Sequence, residues 1–190
     1  MSDDIKTQLL DAAQLLVQTR GHNGYSYRDL AERVGIRTAS IHYHFPTKPD
    51  LTVALVRRYR DGIANAMATI AVEKTSLADR LDGVAAVYQK CLESDRRICV
   101  AAALAGEFSS LPKEVQAELG RLITDSQGWI ARFLAEGRTR GEIPTTSDPS
   151  ALARLWYAAL QGALVVARAT EGNVLGEVAS ILKKLTLNQN

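Results

Sequence analysis

The sequence predicts an all-α protein of about nine helices, a three-helix domain at the amino terminus and a larger helical body behind it. Apolar residues recur at three- and four-residue spacing along most of the chain, the signature of one-sided helices. Runs of β-branched residues are scarce and Pro occurs only 5 times in 190 residues. Ser, Thr or Asp stands just ahead of several periodic stretches, where an N-cap belongs. Hydrophobic residues make up 46% and charged residues 23%, an ordinary globular balance. A chain of this length can bury a substantial core, either as one domain or as a small head on a larger body. No apolar run approaches the roughly eighteen residues of a membrane span, and the first residues, MSDDIKTQ, are acidic where a signal would be basic. A cytoplasmic location is expected.

In chain order, Ile5, Leu9, Ala13 and Leu16 form one stripe over residues 4–20, with Gly21 as its C-cap. His22-Asn23-Gly24 is turn chemistry, and Ser26 with Asp29 makes the capping box that starts the second helix. There Leu30, Ala31 and Val34 share a face. Gly35 follows, where the chain needs a residue tolerant of positive φ, and Ile36 turns back inward. Ile41 and Phe45 lie one turn apart, and Thr38, Ser40, His42, Tyr43 and His44 remain for an outward face. Two short helices about a glycine turn, the second with little apolar surface, is the pattern of a helix-turn-helix, whose second helix enters the major groove of DNA.

Thr47 and Asp50 cap the next helix, with Pro49 in its first turn, where a missing N–H costs little. Leu51, Leu55, Tyr59, Gly62 or Ile63, Ala66 and Ile70 carry its stripe to about Val72. Ser76 and Asp79 open the following helix, which runs through Leu77, Leu81, Val84, Tyr88, Cys91 and Leu92. The segment ICVAAALAGEF after Arg97 is apolar nearly all round and expected to be buried on several sides. Leu111-Pro112 precedes a long helix through Val115, Leu119, Leu122, Ile123, Trp129, Ile130 and Phe133 that ends near Gly137. Residues 138–147 read as a surface connection. Asp148-Pro149 opens a helix containing Leu152, Leu155, Trp156, Ala159, Leu160, Ala163 and Val166. After Gly172-Asn173 the last helix repeats Leu175, Val178, Ile181, Leu182 and Leu185.

Charge is distributed unevenly. Net charge is only +2, but residues 26–60 hold seven Lys or Arg against three acids, while residues 73–190 hold fourteen of each. All three histidines, His22, His42 and His44, lie in the first fifty residues. Local positive excess is the footprint of a phosphate-contacting surface; for Arg57, Arg58 and Arg60 a merely solvated face explains the charge equally well. His42 and His44 are two positions apart on a helix, about 200° around its axis, which disfavours a shared metal ion.

The run SYRDLAERVGIRTASIHYHF, followed by Lys48 and Asp50-Leu51, resembles the amino-terminal domain of the tetracycline-repressor (TetR) family of bacterial transcription regulators. The likeness extends over residues 5–59. Three positions depart from the family pattern: Arg37 stands where a capping Ser or Thr is usual, His42 where Tyr is common, and Pro49 where an acid is common. The resemblance implies a helix-turn-helix head at 1–47, a connecting helix at 48–72 and a ligand-binding and dimerisation body at 73–190. It implies a homodimeric repressor that reads a palindromic double-stranded operator and is relieved by a small-molecule effector. Ser26, Tyr27, Arg28, Arg37, Thr38, Ser40, His42, Tyr43, His44 and Lys48 are the candidates for DNA contact, His44 and Lys48 by resemblance at phosphates. Ser26 is also explained by N-capping alone, and Tyr27 by packing.

In the family the last two helices pair with their copies in a second subunit. Leu155, Ala159, Gly162, Ala163, Val166, Val178, Ile181, Leu182 and Leu185 are the corresponding candidates, and ordinary core is the alternative for the same stripes. Tyr88, Cys91, Phe108, Trp129, Phe133, Trp156, Tyr157 and Gln161 could line an apolar effector cavity, although aromatic residues at helical spacing also describe plain core. Cys99, after Arg96 and Arg97, is a candidate thiol sensor of oxidants or electrophiles against the plainer reading of a buried small hydrophobe. No P-loop, G-x-S-x-G, H-E-x-x-H or paired C-x-x-C occurs, and no His follows His44. An enzyme is disfavoured, and no cofactor is expected. A helical adaptor whose head binds protein is the remaining alternative.

Overall fold

The computed structural model describes residues 2–93, 96–146 and 148–187. Among these there are nine α-helices and no strand, which bears out the all-α expectation: α1 Ser2–Arg20, α2 Tyr27–Val34, α3 Thr38–His44, α4 Lys48–Glu73, α5 Leu77–Glu93, α6 Val100–Ala105, α7 Lys113–Thr139, α8 Pro149–Ala169 and α9 Val174–Thr186. A single 3-10 turn, Phe108–Ser110, precedes α7. The helices form two compact units, Met1–Tyr59 with Val100–Leu122, and Arg60–Cys99 with Ile123–Asn190.

In the first unit the core is built from α1, α2, α3, the start of α4 and α6. Leu9, Ala13, Val17, Leu30, Ile41, Leu51, Leu55 and Leu104 are fully buried, each larger side chain contributing about 1.5–3 kcal/mol. The local signals act as their chemistry requires. Gly21 takes φ +80° at the end of α1 and its N–H donates to the Val17 carbonyl at 3.0 Å. Ser26 and Asp29 complete a reciprocal capping box on α2. Thr47 and Asp50 do the same on α4: the Thr47 N–H donates to Asp50 Oδ2 at 3.0 Å and the Asp50 N–H to Thr47 Oγ1 at 3.3 Å.

A longer-range tie joins the α1–α2 loop to the segment after α6. Glu107 Oε2 accepts the backbone N–H groups of His22 at 2.7 Å and Asn23 at 3.1 Å. Gly21 leaves the space this requires, since a Cβ there would stand 2.3 Å from Glu107 Oε1.

In the second unit α5, α8 and α9 pack together, with Leu77, Leu81, Val84, Tyr88, Phe133, Trp156 and Leu160 at the centre. Gly137 on α7 permits close approach to α5, because a Cβ would lie 2.5 Å from Leu77 Cδ2. Trp156 Nε1 donates to Thr186 Oγ1 at 2.9 Å, satisfying the indole inside the core. The connection after α7 is less superficial than expected: Ile143 is buried and Glu142 Oε2 accepts the Leu77 N–H at 2.6 Å.

One expectation needs correction. Helix α8 is, by length and composition, long and apolar enough to cross a membrane, since its two arginines are too few to break the run. Its inner side chains, Ala153, Trp156, Tyr157, Leu160, Ala163 and Leu164, are buried within its unit. Outside that core face, α8 still exposes Leu155, Val165 and Val166 beside a polar stripe of Ser150, Arg154 and Arg168.

Candidate nucleic-acid interface

Helices α2 and α3 meet at Gly35, whose φ of +75° and N–H bond to the Ala31 carbonyl end α2 in the left-handed conformation. Ile36 also donates to Ala31, at 3.1 Å, so the turn is closed twice before α3 begins. Arg37 precedes α3 in extended backbone and provides no side-chain cap, as its departure from a capping residue type leads one to expect. Ile41 and Phe45 anchor α3, at 0% and 4% exposure. Thr38, Ala39, Ser40, His42 and Tyr43 are left on the outside, with Tyr43 80% exposed. An open cleft of about 460 Å³ beside them is lined by Ile5, Ile36, Ala39, Ser40, Tyr43 and His44.

The far end of α3 is braced. Tyr27 donates its hydroxyl hydrogen to the Phe45 carbonyl at 2.9 Å, and its ring meets that of His42 edge-on, centroids 4.9 Å apart. Burial, then the neighbouring Tyr25 and Asp50, pushes the Tyr27 phenol well above its usual range, so it acts here as a hydroxyl. His42 Nδ1 lies 3.0 Å from the Pro46 carbonyl. The ring of His44 packs edge-on against Tyr43 at 5.2 Å.

The candidate cations divide. Arg33 and Arg37 have no ion pair among the described residues, and Arg28 is exposed in a loose (i, i+4) pair with Glu32 at 3.1 Å. Arg57, Arg58 and Arg60 are engaged with Glu118 at 3.1 Å, Asp11 at 2.8 Å and Asp125 at 3.6 Å. The apparent positive excess of the sequence is thus partly neutralised by acids far away in the chain.

Lys48 has a structural role that its position just past α3 does not suggest. Its ammonium donates to the Tyr25 carbonyl and lies 4.2 Å from the centre of the Tyr25 ring. Burial lowers its pKa, with Glu107 and Asp29 acting in the opposite direction. Ser26 is occupied by the capping box, its hydroxyl also reaching Asp29 Oδ2.

The candidate effector residues are scattered in environment. Tyr88, Phe133, Trp156 and Tyr157 are buried, and Tyr88 meets Tyr157 edge-on at 6.4 Å. Cys91, Trp129 and Gln161 are half-buried. Arg132 covers the Trp129 ring at 4.3 Å. Gln161 stands out because both amide atoms are buried without a partner. Phe108 belongs to the first unit, where it sits on the 3-10 turn and is 49% exposed. Trp156 is committed to Thr186, as described above. Cys99 is 2% exposed, which removes the open thiol that a sensor needs; it behaves as a small core hydrophobe.

The candidate dimer residues also divide. Ala163 and Leu182 are buried inside the chain's own core, because they fall on the inner arcs of α8 and α9, and so offer no surface to a partner. Leu155, Val166, Ile181 and Leu185 are 53%, 49%, 56% and 77% exposed. Gly162 is exposed, and Ala159 and Val178 are half-buried beside them. Val165, which sequence reasoning did not single out, adds a further 50% exposed side chain to α8.

Comparison with known proteins accords with this geometry. Residues 9–55 match the family described as bacterial regulatory proteins, tetR family, and residues 78–179 match the tetracyclin repressor-like C-terminal domain. The HTH-type transcriptional repressor KstR2 of Rhodococcus jostii is 28% identical over 123 residues, 56% of this chain and 60% of that protein. The transcriptional regulator AcuR of Cereibacter sphaeroides is 24% identical over 153 residues, 78% of this chain and 69% of that protein. A TetR-family transcriptional regulator from Agrobacterium tumefaciens has a structure that superposes with a TM-score of 0.93 at 28% identity, covering 99% of this chain and all of that one. The two matched domains, joined in this order, the first of them holding the exposed helix-turn-helix, make the chain a member of the tetracycline-repressor family of DNA-binding transcriptional regulators.

Proposed function

We propose that the protein works as a homodimeric repressor that reads a two-fold symmetric operator and releases it when a small, moderately apolar molecule occupies its body. The observation that carries this reading is the apolar stripe left uncovered on the last two helices. Leu155, Ala159, Gly162 and Val166 on α8, and Val174, Val178, Ile181 and Leu185 on α9, repeat with the same four-, three- and four-residue spacing, each about one helical turn from the last. Contiguous exposed apolar faces of this kind mark interaction surfaces. A second copy covers such a stripe with the same stripe, as a two-fold interface requires. Dimerisation also serves recognition, because one seven-residue helix has few base contacts whereas two read half-sites a helical turn apart.

In this reading residues 1–47 form the head, 48–72 the connecting helix and 73–190 the body. Thr38, Ser40, His42 and Tyr43 face bases, while Arg28, Arg37, His44 and Lys48 serve phosphates. Among the body residues, Tyr88, Tyr157 and the unpartnered amide of Gln161 are the best placed to meet an effector. Relief of repression requires that the effector bind more tightly to a body conformation unsuited to the operator; affinity alone shifts nothing.

The test is titration of the full chain against duplex fragments of its source genome, at several salt concentrations. A regulator of this kind enriches particular fragments, and its binding constant falls steeply with log salt as phosphate contacts release counterions. A flat salt profile with no preferred sequence would instead identify an adaptor that uses the same head on protein.

A further inference from the structure

The outer face of α3 lacks the side chains that most often read DNA. Between Thr38 and His44 there is no Arg, Lys, Asn, Gln, Asp or Glu, so none of the bidentate base contacts made by those residues is available on this helix. Thr38, Ser40 and Tyr43 carry hydroxyls, which donate or accept as the partner requires and discriminate poorly. His42 differs from them because its chemistry is already decided by its surroundings.

The imidazole of His42 is exposed yet held at two points. Nδ1 lies 3.0 Å from the Pro46 carbonyl, and a peptide carbonyl can only accept, so the proton of the neutral ring sits on Nδ1. The Tyr27 ring meets it edge-on at 4.9 Å, and Tyr27 is itself fastened to the Phe45 carbonyl at 2.9 Å. Nε2 is left as a lone-pair acceptor with no partner among the described residues. Rotation or a change of tautomer would sacrifice the Pro46 bond. The side chain is therefore a preorganised acceptor on the helix that the family reading sends into the major groove.

Only two base edges in that groove offer a donor: adenine through its N6 amino group and cytosine through its N4 amino group. Guanine presents N7 and O6, and thymine O4, which are acceptors and repel a second lone pair. We propose that His42 is a specificity determinant that accepts a hydrogen bond from one exocyclic amino group, of adenine or cytosine, in each half-site. This rests on the DNA-binding reading of the head and adds to it the chemistry of the base position.

The experiment has two arms. In the first, fragments selected by the full-length protein are resynthesised with each adenine in turn replaced by purine, which lacks the N6 amino group, and each cytosine by 2-pyrimidinone, which lacks the N4 amino group. One position per half-site should weaken wild-type binding by roughly tenfold or more, the scale of a lost base contact. The same deletion should leave His42→Ala unaffected, and also His42→Phe, which keeps a ring against Tyr27 but has no acceptor. Whether the sensitive base is adenine or cytosine identifies the donor. In the second arm, nitrogen NMR of the free protein should find His42 in the Nδ1-protonated form. An Nε2-protonated ring, or a set of amino deletions none of which couples to His42, would overturn the assignment while operator binding itself stands. Failure of the wild-type chain to prefer any duplex would bring down the DNA-binding reading and this inference together.

Discussion

Replacing Ile181 by Ala should weaken the dimer about a hundredfold without loosening the subunit. Ile181 is 56% exposed in the isolated chain, so about half of what its side chain can bury remains to be buried by a partner. Truncation to Ala removes three carbons, worth about 0.8 kcal/mol each when fully covered, or about 2.4 kcal/mol in total. Scaled to the exposed fraction this is about 1.3 kcal/mol, and a two-fold interface loses it twice. The resulting ~2.7 kcal/mol corresponds to nearly two decades in dissociation constant. Alanine is the best helix former, so α9 itself should not suffer. The assay is sedimentation equilibrium over a wide range of protein concentration, with thermal unfolding at high concentration as the check on fold. Leu182→Ala is the paired control. Leu182 is 7% exposed, so its truncation should lower subunit stability and move the dimer constant much less. If Leu182→Ala dissociates the dimer and Ile181→Ala does not, the outward stripe has been assigned to the wrong arc of α9.

Tyr43→Ala should weaken operator binding and leave the melting temperature unchanged, because Tyr43 is 80% exposed; Lys48→Ala should weaken binding and also lower the melting temperature, since it removes the tie to Tyr25. Neither change should alter the dimer in sedimentation. Ser26→Ala should cost about 1 kcal/mol in denaturant unfolding through loss of the α2 cap, and a variant that unfolds like the wild type would show the capping box to be idle. Stability of the first unit should decline as pH falls below 6.5. Burial, aided by Lys48 and opposed by Glu107, holds the His22 pKa below its usual 6.5, so the unfolded chain takes up the proton first and gains on the native state until the folded pKa is passed. Urea unfolding at neutral and mildly acidic pH should show the decline, and His22→Gln should flatten it.

Much of the helical framework could be read from the chain because its causes are local. Stripes at Leu77, Leu81 and Val84, caps at Ser26, Thr47, Ser76 and Asp148, and the glycine at 35 each act within a turn or two of their own position. The site was less legible where its chemistry depends on distant partners. Nothing near Arg57 or Arg58 in sequence reveals that Glu118 and Asp11 will neutralise them, and nothing near Lys48 points to the Tyr25 carbonyl. For Cys99 the preceding arginines left a reactive thiol open beside the plainer reading of a buried hydrophobe, and its burial favours the latter. Periodicity placed Ala163 and Leu182 in the right helices, but a stripe alone does not say which arc faces inward once both faces are apolar. The role proposed for His42 was hidden for a related reason. Its residue type was visible, while the tautomer of its neutral ring is set by a carbonyl one turn further on.

The carboxylate of Glu107 couples two distant stretches of backbone in the first unit. It grips two consecutive peptide N–H groups, those of His22 and Asn23, and charge-assisted bonds of this type are each worth about 1.5–3 kcal/mol. The residue follows directly on the Val100–Ala105 helix, while its two donors lie in the strap that leads into α2. A displacement at the end of that buried helix must therefore either drag the strap with it or tear loose both bonds at once. One side chain thus gears two stretches of backbone, more than eighty positions apart along the polymer, to a common motion.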